Sequence, residues 1–197
     1  MLPIFINNLK AKFDGDLTGK IKQRKMLISL KNVKKKPTKK HSTKKASVLI
    51  TLYRLNKNWF FFLTKRSEMV EHHKSQISLP GSRVNKSESL WEAATRGTYE
   101  EIGVQNINYI GSLTPLYLTV SNFHIYPFVG WVTGKPVINV NYSEVPRKLK
   151  VPISNIASDS IIKEDHKIID QRIAKIPFFS IDNEMVLGAT AAFLNEF

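Results

Sequence analysis

Residues 79–104, LPGSRVNKSESLWEAATRGTYEEIGV, decide how this chain is read. The stretch opens on a Pro-Gly turn, Pro80-Gly81, and closes on Glu100, Glu101 and Gly103. Ser87 or Ser89 can cap a helix, and Glu88 lies near that helix's positive end. Leu90, Ala93, Ala94 and Gly97 recur at helical spacing and give one narrow face of small residues. Gly103 suits the left-handed residue that ends a helix. The spacing predicts a turn, a helix and a second turn.

Position 97 is three before Glu100 and four before Glu101, so all three share one helix face. Carboxylates at 97, 100 and 101 would converge on one point. Hard oxygens in that arrangement suit Mg²⁺ or Mn²⁺, with water and phosphate completing the shell. Such an ion neutralises a diphosphate and activates an attacking water. Position 97 is glycine, however, and glycine offers no ligand. Inside a helix it also costs about 0.5–1 kcal/mol relative to alanine. Two readings stay open. Either the metal site has lost a ligand, and Gly97→Glu would raise hydrolysis, or Gly97 serves a close approach to the sheet. Arg96 lies four residues from both Glu92 and Glu100 and can brace either, with Glu88 reaching it from the other side.

Outward from this segment the chain alternates strands and turns. Residues 1–13 predict a short amphipathic helix, and ASVLITLYRL (46–55) and WFFFLTKR (59–66) a hairpin. ISLPGS (77–82) predicts a short strand, and INYIGSLTPLYL and FHIYPFVGWVTG two more. LKVPISNI and IPFFSI read as strands, residues 155–172 give no clear pattern, and EMVLGATAAFLNEF (184–197) reads as a closing helix. The expected class is α+β, a helix on a mixed sheet. The chain divides into a basic leader, 1–45, and a body, 46–197.

The 197 residues carry a formal net charge of +14. Residues 1–46 hold 13 Lys and one Arg against Asp14 and Asp16, or +12, which leaves +2 for the rest. The Lys31–Lys45 stretch reads first as a solvated arm and second as a contact for phosphate or nucleic acid. It has almost no aromatics for base stacking, which weakens the nucleic-acid version. The chain has no cysteine, which excludes disulfides and thiolate metal sites. No apolar run approaches the roughly 20 residues of a membrane helix. A cytoplasmic location is expected. The histidines, among them His72 and His73, show no zinc spacing. No phosphate-cradling glycine loop and no nucleophilic triad stand out.

Glu88, Arg96, Thr98, Glu100, Glu101, Gly103 and Val104 together form a long spaced pattern that resembles the Nudix box. In that box a glycine is followed after five residues by Glu, then after seven by Arg-Glu-apolar and x-Glu-Glu-x-Gly-apolar. The chain departs from it at Ser82, which replaces the opening glycine, and at Gly97, which replaces a glutamate. Leu63, Thr64, Arg66, Ser67, His73, Gln76, Pro80 and Gly81 are similar to the segment before the box in coenzyme A pyrophosphatases. LTPLYLTVSNFHIYPFVGW, SEVPRKLKVPIS and LGATAAFLNEF also look like that subgroup.

The resemblance implies an α/β/α Nudix sandwich and Mg²⁺- or Mn²⁺-dependent hydrolysis of coenzyme A or acyl-CoA. The products would be 4′-phosphopantetheine and adenosine 3′,5′-bisphosphate. It implies Glu100 and Glu101 as metal ligands, and Arg96, with Gly81, Glu88 and Gly103, as the frame of the box. Glu144 matches a Glu-Val of the family and is expected as an outlying ligand or base. Arg66, His73 and Gln76 are expected at the substrate; Lys65 and the leader are further candidates for its 3′-phosphate, although Lys65 reads first as a solvated strand end. A catalytically weak CoA- or nucleotide-binding relative is the alternative. The partners expected are a small diphosphate substrate, nucleic acid at the basic leader, and a second copy in a homodimer.

Overall fold

The computed structural model describes residues 2–13, 15, 19–28, 43–66, 76–158, 161–169 and 172–197, with Ile169 and Arg172 as backbone. Two helices, α1 (Ile4–Phe13) and α2 (Gly19–Lys25), precede the hairpin β1 (Lys44–Leu55) and β2 (Asn58–Lys65). Short strands β3 (Ile77–Ser78) and β4 (Gly81–Arg83) lead into α3 (Leu90–Ile102). Strands β5 (Asn108–Ser112), β6 (Leu116–Leu118), β7 (Phe123–Trp131) and β8 (Arg147–Pro152) follow. The chain closes with β9 (Ile162–Ile169), β10 (Arg172–Ile181), β11 (Glu184–Leu187) and α4 (Gly188–Glu196).

The main sheet runs β3-β2-β1-β7-β5, with β4 on β1, β6 on β7 and β8 on β2. β1 is parallel to β7 from Lys44↔Phe123 to Leu52↔Trp131, and antiparallel to its other partners. Its other edge changes partner along its length: β4 lies against Ala46–Val48, and β2 against Tyr53–Leu55. This mixed sheet explains the unbroken apolar runs of β1 and β2. Their side chains alternate between two covered faces, so both parities must be apolar. Ile50, Leu52, Phe61 and Leu63 join a core with α4, β10 and β11, while Tyr53, Phe60 and Phe62 pack with Ile102 and Val104 at the end of α3. The sheet therefore carries α3 on one face and, on the other, the terminal helices with the three-stranded sheet β11-β10-β9. This is the α+β sandwich expected.

Several elements differ from the sequence expectation. Residues 184–187 are a strand, not the start of the last helix, because they pair with Phe178–Ile181 of β10. Residues 162–169, which gave no pattern, form β9 against β10. INYIGSLTPLYL splits into β5 and β6, both on β7. Within the leader, Ile6 and Met26 are fully buried in the larger core. Gln23 of α2 donates to Glu196 Oε2 at 2.6 Å and to the Thr114 carbonyl at 2.6 Å. Glu196, 4% exposed, also accepts from Thr114 N and Oγ1, so α2, α4 and the loop after β5 share one carboxylate.

Candidate active site

The Pro-Gly turn is fixed by β1. Leu49 N donates to the Pro80 carbonyl, and Gly81 pairs with Val48 so closely that a Cβ on Gly81 would lie 2.8 Å from Val48 Cα. Only glycine fits there. Ser82, in place of the opening glycine, donates its hydroxyl to the Ala93 carbonyl at 2.7 Å and stitches the turn to α3.

α3 begins at Ser89, the second of the two expected caps. Ser89 Oγ accepts from Glu92 N while Glu92 returns a bond to Ser89 N, a complete capping box. Glu92 is thereby unavailable to Arg96. The helix ends at Gly103, left-handed at φ 73°, whose N–H bonds the Tyr99 carbonyl. Arg96 is the hub of the box frame. Its guanidinium donates to both oxygens of Glu88, to both oxygens of Glu100 and to the Arg83 carbonyl, all at 2.7–2.9 Å. Glu88 also accepts from Asn85 N. These bonds hold its carboxyl down at about 2.

Glu100 and Glu101 have separate partners. Glu100, 47% exposed, is turned along the helix onto Arg96. Glu101, 7% exposed, accepts from Thr64 Oγ1 at 2.9 Å and from the Gly81 amide. Burial pushes its carboxyl up to about 7, against the bonds from Thr64 and Gly81 and the positive charge of Arg66; the charge of Glu144 adds to the rise. Arg66 and Glu144 thus both act on Glu101.

The loop after β7 brings Glu144 there. Asn139 N and Asn141 N bond the carbonyls of Ile102 and Glu101, and Asn141 Nδ2 reaches Glu144 Oε1 at 3.3 Å. Arg66 N bonds the Gln76 carbonyl, and Arg66 Nε is buried with no hydrogen-bond partner among the described residues. His73 lies outside the described residues. Lys65 is not the solvated strand end expected: it pairs with Glu184 at 2.8 Å, as does Arg147 at 3.0 Å. Thr64 was missed as a donor, although its buried hydroxyl on a strand facing the box is the kind of group that must find a partner.

The missing third carboxylate has a physical cause. A Cβ at position 97 would lie 2.5 Å from Ser82 N and 2.7 Å from Gly81 O, and closer still to the Gly81 carbonyl carbon. All three are backbone atoms of the turn that β1 holds in place. The backbone of that turn occupies the space where a side chain would start, which supports the close-packing reading of Gly97 over the lost-ligand one.

The sequence model of the NUDIX domain matches residues 43–155. The chain belongs to the Nudix family. It is 31% identical over 140 residues to Nudix hydrolase 3 of Caenorhabditis elegans, a match covering 64% of this chain and 58% of that Nudix protein. A probable Nudix hydrolase of Schizosaccharomyces pombe is 27% identical over 201 residues, covering 96% of this chain and 68% of the relative. The fold is also that of a MutT/nudix family protein from Enterococcus faecalis, with a TM-score of 0.55 at 11% identity over all of this chain and 73% of the other.

Nudix proteins use divalent cations, and the oxygen donors here suit a hard cation such as Mg²⁺ or Mn²⁺. Of the two expected ligands, Glu101 is buried and feels the charge of Glu144, while Glu100 is turned onto Arg96. Among the described residues no three acidic or histidine side chains already stand together as a cation site. No described helix is long and apolar enough to cross a membrane.

Proposed function

We propose that the chain is a divalent-cation-dependent pyrophosphohydrolase acting on coenzyme A or an acyl-CoA. The observation that supports it is the buried Glu101 carboxylate, set between the Thr64 hydroxyl and the Gly81 amide and under the charges of Arg66 and Glu144. When bound, Mg²⁺ or Mn²⁺ neutralises the diphosphate and makes water more acidic. Glu101 would hold it, together with substrate and water oxygens. Glu144, on its exposed loop, accepts the proton of the attacking water as a general base. Arg66, whose charge acts on Glu101, orients the diphosphate. Arg96 and Glu88 keep the turn and α3 in register and touch no substrate. Water adds to one phosphorus, the bridging P–O bond breaks, and the two phosphates leave as 4′-phosphopantetheine and adenosine 3′,5′-bisphosphate.

CoA specificity rests on the likeness of the segments around Arg66 and after the box to coenzyme A pyrophosphatases. The test is purified protein with CoA and Mn²⁺ or Mg²⁺, monitored for phosphopantetheine by mass spectrometry. Release that stops with chelator and with Glu101→Gln is expected. A second reading is favoured by the packing at Gly97 and the capture of Glu100 by Arg96: a Nudix protein that holds CoA and barely cleaves it. Calorimetric binding of CoA without product would establish that reading and sink the first.

A further inference from the structure

The N-terminal end of β1 carries a second cluster of side chains that the hydrolysis does not use. On one face of the strand two cations approach the Phe123 ring, Lys44 Nζ at 5.8 Å and Arg83 Cζ at 5.3 Å from its centre. On the other face Tyr117, His124 and Tyr126 make a row of rings with centroids 6.3 and 4.6 Å apart, and Lys45 is the strand neighbour of His124. The polar tips of this row are satisfied locally: Tyr117 donates to Asn122, and Tyr126 bonds His124 Nδ1. Tyr117 is 41% exposed, and Lys44, Lys45 and Arg83 are exposed.

The charge is of one sign. Segments 43–48, 81–87 and 116–126 contain Lys44, Lys45, Arg83 and Lys86 and no Asp or Glu. The nearest acid in sequence, Glu88, is neutralised by Arg96. Cations that track a phosphate backbone beside rings that stack on bases are the chemistry of single-stranded nucleic-acid binding, whereas charge alone suits any polyanion. The Lys31–Lys45 stretch lacks aromatics; the fold supplies them from β6 and β7, beside the point where that stretch enters β1.

We propose that this strand end, with Tyr117 and His124 as stacking platforms and Lys44, Lys45 and Arg83 as phosphate contacts, binds single-stranded nucleic acid. The test is fluorescence anisotropy of a labelled, mixed-sequence RNA of about twelve nucleotides with the full chain, alongside inorganic polyphosphate and a duplex of the same sequence. The single strand binds more tightly than the duplex, and binding weakens as salt rises. Tyr117→Ala and His124→Ala each weaken RNA binding about tenfold and leave polyphosphate binding unchanged. Lys44→Gln with Arg83→Gln weakens both. RNA binding by the aromatic variants equal to wild type overturns the proposal, because lysine charge then suffices. Equal binding of duplex and single strand by the unaltered protein overturns it without any variant. Hydrolysis of CoA is measured on the Tyr117→Ala and His124→Ala variants and is expected to be unaffected, which separates this surface from the Glu101 site.

Discussion

A buried carboxylate is stable in its charged form only when something replaces the water it has lost. At Glu101 the Thr64 hydroxyl and the Gly81 amide do so in part, and the remaining deficit appears as a carboxyl raised to about 7. From its ordinary 4.5 up to about 7, the folded chain holds a proton that the unfolded chain has released. Stability of the metal-free protein therefore falls as pH rises through that window. Glu101→Gln should remove this slope in urea titrations, giving a more stable protein above the window and little change below it. Because cation binding displaces the same proton, calorimetry should show Mn²⁺ uptake weakening as pH drops below about 7, and none by Glu101→Gln. At Gly97 the expectation is opposite to helix propensity. Gly97→Ala should destabilise by about 1–3 kcal/mol in denaturant titrations, because its Cβ meets the Gly81–Ser82 backbone. Gly97→Glu should lower hydrolysis rather than restore it. The sequence showed the gap at 97 but not its filling, since the atoms that fill it come from a turn placed by β1. The divergence of Glu100 from Glu101 was equally hidden, for spacing places Cβ atoms on a face and does not choose the partner of a long side chain.

At the scale of the element, α3 is the part most legible beforehand. Its caps are local: Ser89, Glu92 and Gly103 lie within a turn of its ends, and the small residues of its inner face follow one period. Ser89→Ala removes the hydroxyl of the capping box and should cost about 1 kcal/mol, read as a lower urea midpoint. Glu88 contributes in the other direction from Glu101. Its carboxyl is depressed from 4.5 to about 2, so its bonds to Arg96 and Asn85 support the box above that range and fail as pH falls through it. Glu88→Gln should loosen the turn and raise KM more than it lowers kcat, since neither partner touches the reacting phosphate. By contrast β11 and β9 were not legible. Residues 184–187 are helix-compatible by composition and become a strand only because β10 lies beside them. Polar β9 shows no period because its register is set by the same neighbour.

At the scale of the molecule, the sandwich was legible from apolar runs and the box, and the seating of the N-terminal helices was not. Net charge marked residues 1–45 as a basic leader with a short helix but gave no sign that Ile6 and Met26 complete the larger core, or that Gln23 and Thr114 enclose Glu196. Single polar side chains of this kind carry no sequence signal, because each is meaningful only against a partner more than eighty residues away. Gln23→Leu strands Glu196 Oε2 in a buried site and should destabilise by about 1–3 kcal/mol, a loss measurable by thermal unfolding. The parallel pairing of β1 with β7 joins strands 79 residues apart (Lys44 with Phe123). The turn that meets Gly97 leans on β1, and the loop bearing Glu144 follows β7, so both halves of the site await that closure. Refolding is then governed by a long-range encounter rather than by helix formation: after dilution from denaturant, helical ellipticity should recover ahead of the first turnover of substrate.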